Sequence, residues 1–402
     1  MDNEKTECAG SRGIWWVVLG VGLLWVVMLS ADWLFRFTWY RWQVTLVSRP
    51  AAEFEGPEQP MMHRDVPEHR GGDLTSLLGL PSVARRFEEV RPAGVDISDE
   101  FGFQNNPPVR DRAYSIVTAG DSYMASGISQ DDMFAQRLAR ISGQSVYNYA
   151  YAGRGPLFSV ERFLRDERFR KFPPHVLVWG LLERDVGGGM FASMAERLAV
   201  LDQGSSNVTT SGRVNWNALT PKALKTSLPS TSVMAQTSKK IWNYVRYLVF
   251  GAITPEVAIS TESVEGHPLL FYTWAVKAMR WTRAERNPDL IINAIQFLSS
   301  YYQERGVKLV VVLIPDKEQV YRELLPPSVG VEAGPIPDSA LYEIEKGLKK
   351  RDIYVVNLLD PFRSAARDGI LLYWPDDTHW NSKGMELAAQ QVWAAIEDVF
   401  PR

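Results

Sequence analysis

Apolar residues gather in five short runs along the chain, "YSIVTAG" (114–120), "SVYNYA" (145–150), "HVLVWG" (175–180), "VKLVVVLIP" (307–315) and "IYVVNLL" (353–359). Consecutive as well as alternate positions are apolar, and many are β-branched or aromatic, which is the pattern of strands buried on both faces. Between these runs the apolar positions recur at helical spacing over 129–142, 158–170, 287–305 and 338–351, and a last helix carries a stripe of Ala388, Val392, Ile396 and Val399. Strands alternating with helices predict an α/β fold, a parallel sheet of about five strands flanked by helices on both sides.

Three stretches break the rhythm. Gly13 to Ala31 runs 19 residues without a charge, roughly 28 Å as a helix and about the thickness of a bilayer core. Trp15, Trp16, Trp33 and Tyr40 stand near its ends, where amphipathic rings favour the interface. The run is longer than the core of a cleaved signal peptide and lacks the paired small residues of a cleavage site. It predicts a single transmembrane anchor over 13–35, a cytoplasmic tail over 1–12 and export of the bulk of the chain. Residues 36–110, rich in Pro, Gly and charge, read as a stalk, linker or irregular wrap. Residues 187–285 are Ser/Thr-rich and lack the strand pattern, so they read as an insertion in a domain spanning 111–400. Within the insertion, "KKIWNYVRYLVFGAI" (239–253) has an aromatic and aliphatic face beside basic residues, which can pack on the core, the plainest reading, lie on a membrane surface or line an acceptor groove.

Composition removes some classes of function. With 46% hydrophobic residues and 14 Trp the chain has ample core material. Its 44 basic and 47 acidic residues are interspersed, so no basic footprint for nucleic acid is present. The single cysteine, Cys8, precedes the apolar run, which leaves the main domain without a thiol or disulfide.

Two segments carry chemistry. "AGDSY" closes the first predicted strand and sets Ser122 at the carboxyl edge of the sheet, where α/β proteins place their sites. "PDDTHWNSKG" (375–384) holds His379 just ahead of the last helix, which Asn381 or Ser382 can cap. A base must reach the nucleophile and be oriented by a third group, and Asp377 or Asp376 can supply that group. The other histidines carry less: His63 and His69 with Asp65 and Glu68 lack the spacing of a zinc site and read as a solvated loop, and His175 and His267 read as structural. Lys317 either supports the fold or contacts an anionic sugar. The glycines of "DVGGGMF" lack the strand and helix context of a nucleotide site.

A serine after the first strand with an Asp/His loop before the last helix resembles the SGNH (GDSL-type) hydrolase superfamily. "NYAYAGRG" (148–155) is similar to its second block, and the resemblance implies an oxyanion hole made by the backbone N–H groups of Ser122 and Gly153. "DTHW" (377–380), "IPDKEQVY" (314–321) and "WGLLERD" (179–185) look more closely like segments of the alginate O-acetyltransferase group of AlgX- and AlgJ-like proteins. That group sets the carboxylate two residues before the histidine, favouring Asp377; the wider superfamily sets it three before, which is Asp376, here in a supporting role. Two departures stand out. The third block, normally the source of an oxyanion-hole Asn, reads "GLLERD", so Arg184 either replaces that donor or pairs with Glu183 or Asp185 as structural support. The alginate group also carries its DTHW segment before the serine, whereas this chain carries it after.

The resemblance implies a serine-dependent O-acetyltransferase acting on an exported or cell-envelope polysaccharide, with catalytic Ser122, Asp377 and His379 and with no metal or cofactor. It further implies a bacterial inner-membrane protein with a periplasmic catalytic domain. A membrane-bound O-acyltransferase of the MBOAT class is the implied acetyl-donor partner, and a sugar groove built partly from the insertion is expected. The alternatives are a carbohydrate acetyl esterase using the same residues and a non-catalytic polysaccharide-binding or assembly protein on the same fold.

Overall fold

The protein is described by a computed structural model covering residues 16, 19–32, 34, 57–78, 81–125, 127–187, 191, 233–250, 253–330 and 338–400. Two compact units divide the chain, one from 1–53 with 207–252 and one from 54–206 with 253–402. In the first, residues 19–32 are helical and Val233–Phe250 forms a helix. Among the described residues no helix is long and apolar enough to cross a membrane; residues 13–15, 17, 18, 33 and 35 of the predicted span lie outside them. Among the described side chains of 239–253, Ile241, Trp242, Val245, Leu248 and Val249 are exposed.

The second unit holds the sheet, whose strands are β1 (Ile116–Ala119), β2 (Val146–Asn148), β3 (Val176–Leu182), β4 (Lys308–Ile314) and β5 (Tyr354–Asn357). They lie in the order β5-β4-β3-β1-β2 and every pairing is parallel. All five predicted runs are strands of this sheet, trimmed by a residue or more at most ends. Alternation sorts their side chains onto two cores: Leu177, Trp179, Leu181, Val311 and Leu313 face one, and Val176, Val178, Val310 and Val312 the other. Because both faces are covered, most strand positions are apolar, which is why the runs read as near-continuous apolar sequence; the buried exceptions Thr118 and Asn148 are hydrogen-bonded.

The chain starts at β1 and winds outward on both sides, so the order reverses between β1 and β3. At such a point the carboxyl ends of the strands open a crevice. The helices α1 (Ser122–Ala125), α2 (Phe134–Ser142) and α3 (Pro156–Phe163) follow the first two strands, and α4 (Pro288–Gln303), α5 (Ala340–Lys349) and α6 (Ser382–Ile396) complete the flanks that bear on the site. The predicted helix 158–170 is two pieces, α3 and Glu167–Lys171, the second restarted by Asp166, whose side chain accepts from the Arg168 N–H.

Two regions differ from the sequence expectation. From residue 57 the predicted stalk is folded onto the domain: His63–Val66 pairs with Gly94–Ile97, and His69–Arg70 with Val90–Arg91. Leu74, Leu78, Arg91, Asp99 and Phe103 are buried there. Its polar composition misleads because several of its charged and polar side chains are spent on partners far along the chain, Asp73 and Arg91 on the site loop and Asp99 and Asn105 on β2. Within the predicted insertion, Val257–Val264 and His267–Tyr272 form an antiparallel hairpin. Its turn, Glu265-Gly266, has both φ angles positive, as a two-residue hairpin loop requires. Glu-Gly is a weaker sequence signal than Asn-Gly, which is how it escapes notice.

Candidate active site

Ser122 opens α1 directly after the turn Gly120-Asp121. Gly120 has φ +152°, and a Cβ there would lie 2.5 Å from Met124 Cγ, so the chain turns from strand to helix only with glycine at this place. Asp121 Oδ1 then accepts the Tyr123 N–H at 2.9 Å, capping the short helix. The next side chain ties the two halves of the site together: Tyr123 Oη donates to the Thr378 carbonyl at 2.6 Å across 255 positions of sequence.

The histidine loop is fixed from both ends. Asn381 caps α6, accepting from the N–H groups of Lys383 and Gly384 at 2.9 and 3.1 Å, while its Nδ2 donates to the Leu371 carbonyl at 2.8 Å. Gly384 lies so close to Leu372 that a Cβ would sit 2.2 Å from its carbonyl oxygen. Trp380 is buried against Phe134 and Tyr123. Lys317, fully buried, donates Nζ to the carbonyls of Trp374, Pro375 and Asp377 at 3.1, 3.2 and 2.7 Å. Of the two roles open to Lys317 in the sequence, the structure shows the supporting one. Burial pushes its pKa down to about 8.

These constraints aim His379 at Ser122. His379 Nε2 lies 2.9 Å from Ser122 Oγ, and Nδ1 lies 2.7 Å from Asp377 Oδ1, which also accepts the His379 backbone N–H at 3.0 Å. Burial by itself would lower the His379 pKa, but the hydrogen bond to Asp377 and the charges of Asp377 and Asp73 outweigh it and raise the value above the ordinary one. Burial likewise opposes ionisation of Asp377, yet the hydrogen bonds from His379 hold its carboxyl well below the usual range. The arrangement can draw a proton from a serine hydroxyl and hold the resulting imidazolium in place.

Asp376 points elsewhere. It is fully buried, accepts the Glu89 N–H and Arg91 Nη1 at 2.9 Å each, and its Oδ1 lies 2.7 Å from Arg91 Nη2. Two side chains of the N-terminal segment that no sequence motif marks therefore reach the loop. Besides Arg91, Asp73 accepts the Thr378 N–H at 2.8 Å and the Thr378 hydroxyl, donates its own N–H to Asp377 Oδ2 at 3.1 Å, and sets Oδ2 3.8 Å from His379 Nδ1. No motif flags either residue, because their partners lie some 285 to 305 positions away. Asp73, Asp377 and His379 offer ligand atoms within 4.8 Å of one another, but a cation there would have to pull Asp377 from His379 and Asp73 from Thr378.

Arg184 is not aimed at Ser122. Its Nη1 pairs with Asp316, rather than Glu183 or Asp185, and donates to Tyr123 Oη at 3.2 Å. Glu183 is buried and accepts the Ser339 hydroxyl at 2.6 Å. Gly153 lies in the exposed turn after β2 with φ +75°. Two residues earlier Tyr151 donates its N–H to the Gly120 carbonyl at 3.0 Å, which draws this turn to the same sheet edge as Ser122. Of the remaining histidines, His267 sets Nδ1 2.6 Å from Glu89 Oε1, consistent with a structural role.

The family described as "SGNH hydrolase-like domain, acetyltransferase AlgX" matches residues 45–183 and 269–402. The chain belongs to that family. The match leaves out 184–268, which overlaps the predicted insertion. Among relatives, "Probable alginate O-acetylase AlgJ" of Azotobacter vinelandii is 31% identical over 117 residues, 28% of this chain and 29% of that protein. Its namesake in Pseudomonas syringae pv. tomato is 25% identical over 198 residues, 49% of this chain and 48% of that protein. In both cases the match covers less than half of the relative's own length. Solved structures with similarity include TesA (12% identity, TM-score 0.33, covering 71% of this chain and 99% of that one) and the salicylyl-acyltransferase SsfX3 from a tetracycline biosynthetic pathway (10% identity, TM-score 0.30, covering 78% and 59%).

Proposed function

We propose that this domain is a serine-dependent O-acyltransferase that moves an acetyl group onto hydroxyls of an exported or cell-envelope polysaccharide. The observation that carries the reading is the chain of contacts from Ser122 Oγ through His379 to Asp377, at 2.9 and 2.7 Å. Membership in a family described by an acetyltransferase, with relatives named for alginate O-acetylation, supports the choice of acyl group and acceptor class.

In this reading His379 Nε2 takes the Ser122 proton as Oγ attacks the carbonyl carbon of an acetyl donor. The backbone N–H groups of Ser122 and Gly153 stabilise the oxyanion. The leaving group departs with the proton from His379, giving an acetyl-Ser122 ester. Asp377 keeps the imidazole in the productive tautomer and stabilises its charged form. His379 next deprotonates the sugar hydroxyl, which displaces Ser122. We place the domain on the periplasmic side of a bacterial inner membrane, held by the charge-free run 13–31, with a membrane-bound O-acyltransferase supplying acetyl. Protease accessibility in spheroplasts tests that placement.

The test of the chemistry is acetyl release and transfer by the purified chain, given an activated acetyl ester with and without oligosaccharides. Acetylated sugar from the wild type and none from Ser122→Ala is the expected result. Hydrolysis indifferent to every acceptor would favour an esterase, and no Ser122-dependent turnover with any donor would favour a non-catalytic sugar-binding protein.

A further inference from the structure

Three aromatic rings stand in a row within the second unit. Tyr272 ends the second strand of the hairpin, Trp274 lies on the helix Thr273–Ala278 that follows it directly, and Trp281 comes just beyond that helix. Ring centroids lie 6.1 Å apart from Tyr272 to Trp274 and 5.7 Å apart from Trp274 to Trp281, the second pair at 87°. Trp274 is 41% exposed, and Tyr272 and Trp281 are half-buried. A single exposed ring is ordinary on a protein surface, whereas three in mutual contact form a platform with a defined shape.

The platform is held rigid. The Tyr272 N–H donates to the buried Glu318 at 2.6 Å, and Thr273 donates its N–H to the Glu256 carbonyl at 3.0 Å and its hydroxyl to the Pro255 carbonyl at 2.8 Å. Trp281 packs on Gly187, where a Cβ would lie 3.3 Å from Cζ3 of the indole, and the Arg286 guanidinium lies 5.9 Å from the same ring. The same contacts locate it. Gly187 follows the carboxyl end of β3, and Glu318 stands next to Lys317, whose ammonium carries the histidine loop. Two residues before Tyr272, the Leu270 N–H donates to the Pro375 carbonyl of that loop at 2.7 Å. The platform is therefore joined to the loop of His379 and belongs to the sheet edge that bears Ser122.

A sugar ring presents a face of C–H bonds, whose positive ends are attracted to the negative face of an aromatic ring. Rings already fixed in place lose little freedom when a sugar settles on them. Lys277, exposed and three residues after Trp274 on the same helix, shares its face and supplies a cation for a carboxylate. All four residues fall within 187–285, the stretch from which the sequence leads one to expect part of a sugar groove.

We propose that Tyr272, Trp274 and Trp281, with Lys277, form a platform that holds a carboxylate-bearing pyranose chain, the rings stacking on sugar units and the lysine pairing with a carboxylate. That this chain is the acetyl acceptor rests on the acetyl-Ser122 reading. In that role the platform grips units away from the reacting hydroxyl and keeps the acceptor in place against competition from water.

The experiment titrates the full chain carrying Ser122→Ala with a uronic-acid hexasaccharide by isothermal calorimetry. Binding is expected, weakened about tenfold by Trp274→Ala and about threefold by Lys277→Glu, with Trp274→Phe recovering part of the loss. Thermal melting of each variant establishes that it is folded, and because Lys277 is exposed its substitution carries the test should truncation of the ring disturb the fold. Absence of binding, or affinities unchanged in the folded variants, overturns the proposal. A neutral glucose hexasaccharide that binds as tightly as the uronate overturns the assignment to an acidic chain. With Ser122 intact, Trp274→Ala should raise KM for the hexasaccharide acceptor about tenfold and leave kcat within about twofold. Hydrolysis of an activated acetyl ester by the unaltered chain separates the two readings. Ser122-dependent hydrolysis without hexasaccharide binding rejects the platform and keeps the acyl-enzyme, whereas Trp274-dependent binding without turnover keeps the platform as a sugar site and removes the acyl-enzyme.

Discussion

Replacing Asp73 by Asn separates charge from scaffold at the histidine. The asparagine keeps an oxygen to accept the Thr378 N–H, and the Thr378 hydroxyl can turn to accept from the new amide, so both tethers made by Asp73 survive. What disappears is a negative charge 3.8 Å from His379 Nδ1. Two unit charges at that distance interact by about 4 kcal/mol near a protein surface. The Asp73 side chain is 42% exposed, so water screens this to about 1 kcal/mol. One pKa unit corresponds to about 1.4 kcal/mol. The His379 pKa, raised in the native protein, should therefore fall by roughly half to one unit. Catalysis needs neutral His379, so activity is lost as pH falls through this pKa, and a lower pKa moves the acid limb of kcat/KM to lower pH. The plateau should drop about fivefold, because the imidazolium formed in the transition state loses the same support. The assay is the pH profile of activated acetyl ester hydrolysis by wild type, Asp73→Asn and Asp73→Ala. An acid limb that stays in place in Asp73→Asn, or moves to higher pH, would refute the electrostatic argument and reduce Asp73 to a tether.

Asp377→Asn should lower kcat by about 10³ to 10⁴ with little change in melting temperature. Asp376→Asn should instead destabilise the fold by about 3 kcal/mol, since it leaves Arg91 without its buried partner, and the two variants are told apart by measuring rate and denaturation together. Lys317→Met leaves the carbonyls of Trp374, Pro375 and Asp377 without their shared donor and should cost on the order of 3 kcal/mol in urea denaturation. Burial, and next the charge of Asp316, push Glu183 and Glu318 up to about 7. The native state therefore holds protons that the unfolded chain releases, and stability falls as pH rises from about 5 to about 7.5. Glu318→Gln should flatten that slope in chemical denaturation, and a slope of the opposite sign would contradict it.

Sequence legibility followed the range of the forces involved. The five strands, α4, α5 and α6 were readable because burial on both sheet faces, or on one helix face, writes a periodicity into consecutive residues. Ser122 and the loop around His379 were readable because each stands beside such an element, and the carboxylate two residues before the histidine is a local feature. The hairpin over 257–272 was missed through an uncommon turn dipeptide, and the folded N-terminal segment through its polar composition.

By itself, then, the sequence determined the α/β class, the sheet edge that bears the site, and the identity of Ser122, Asp377 and His379 as candidates. Only the tertiary structure decided that Asp376 belongs to Arg91, that Arg184 belongs to Asp316, that Lys317 carries the histidine loop, and that Asp73 adds a second carboxylate beside His379. The division has a physical cause. Backbone propensity and hydrophobic periodicity act over a few residues, whereas a buried charge is satisfied by whichever group the fold brings within about 3 Å, and that group can lie anywhere along the chain.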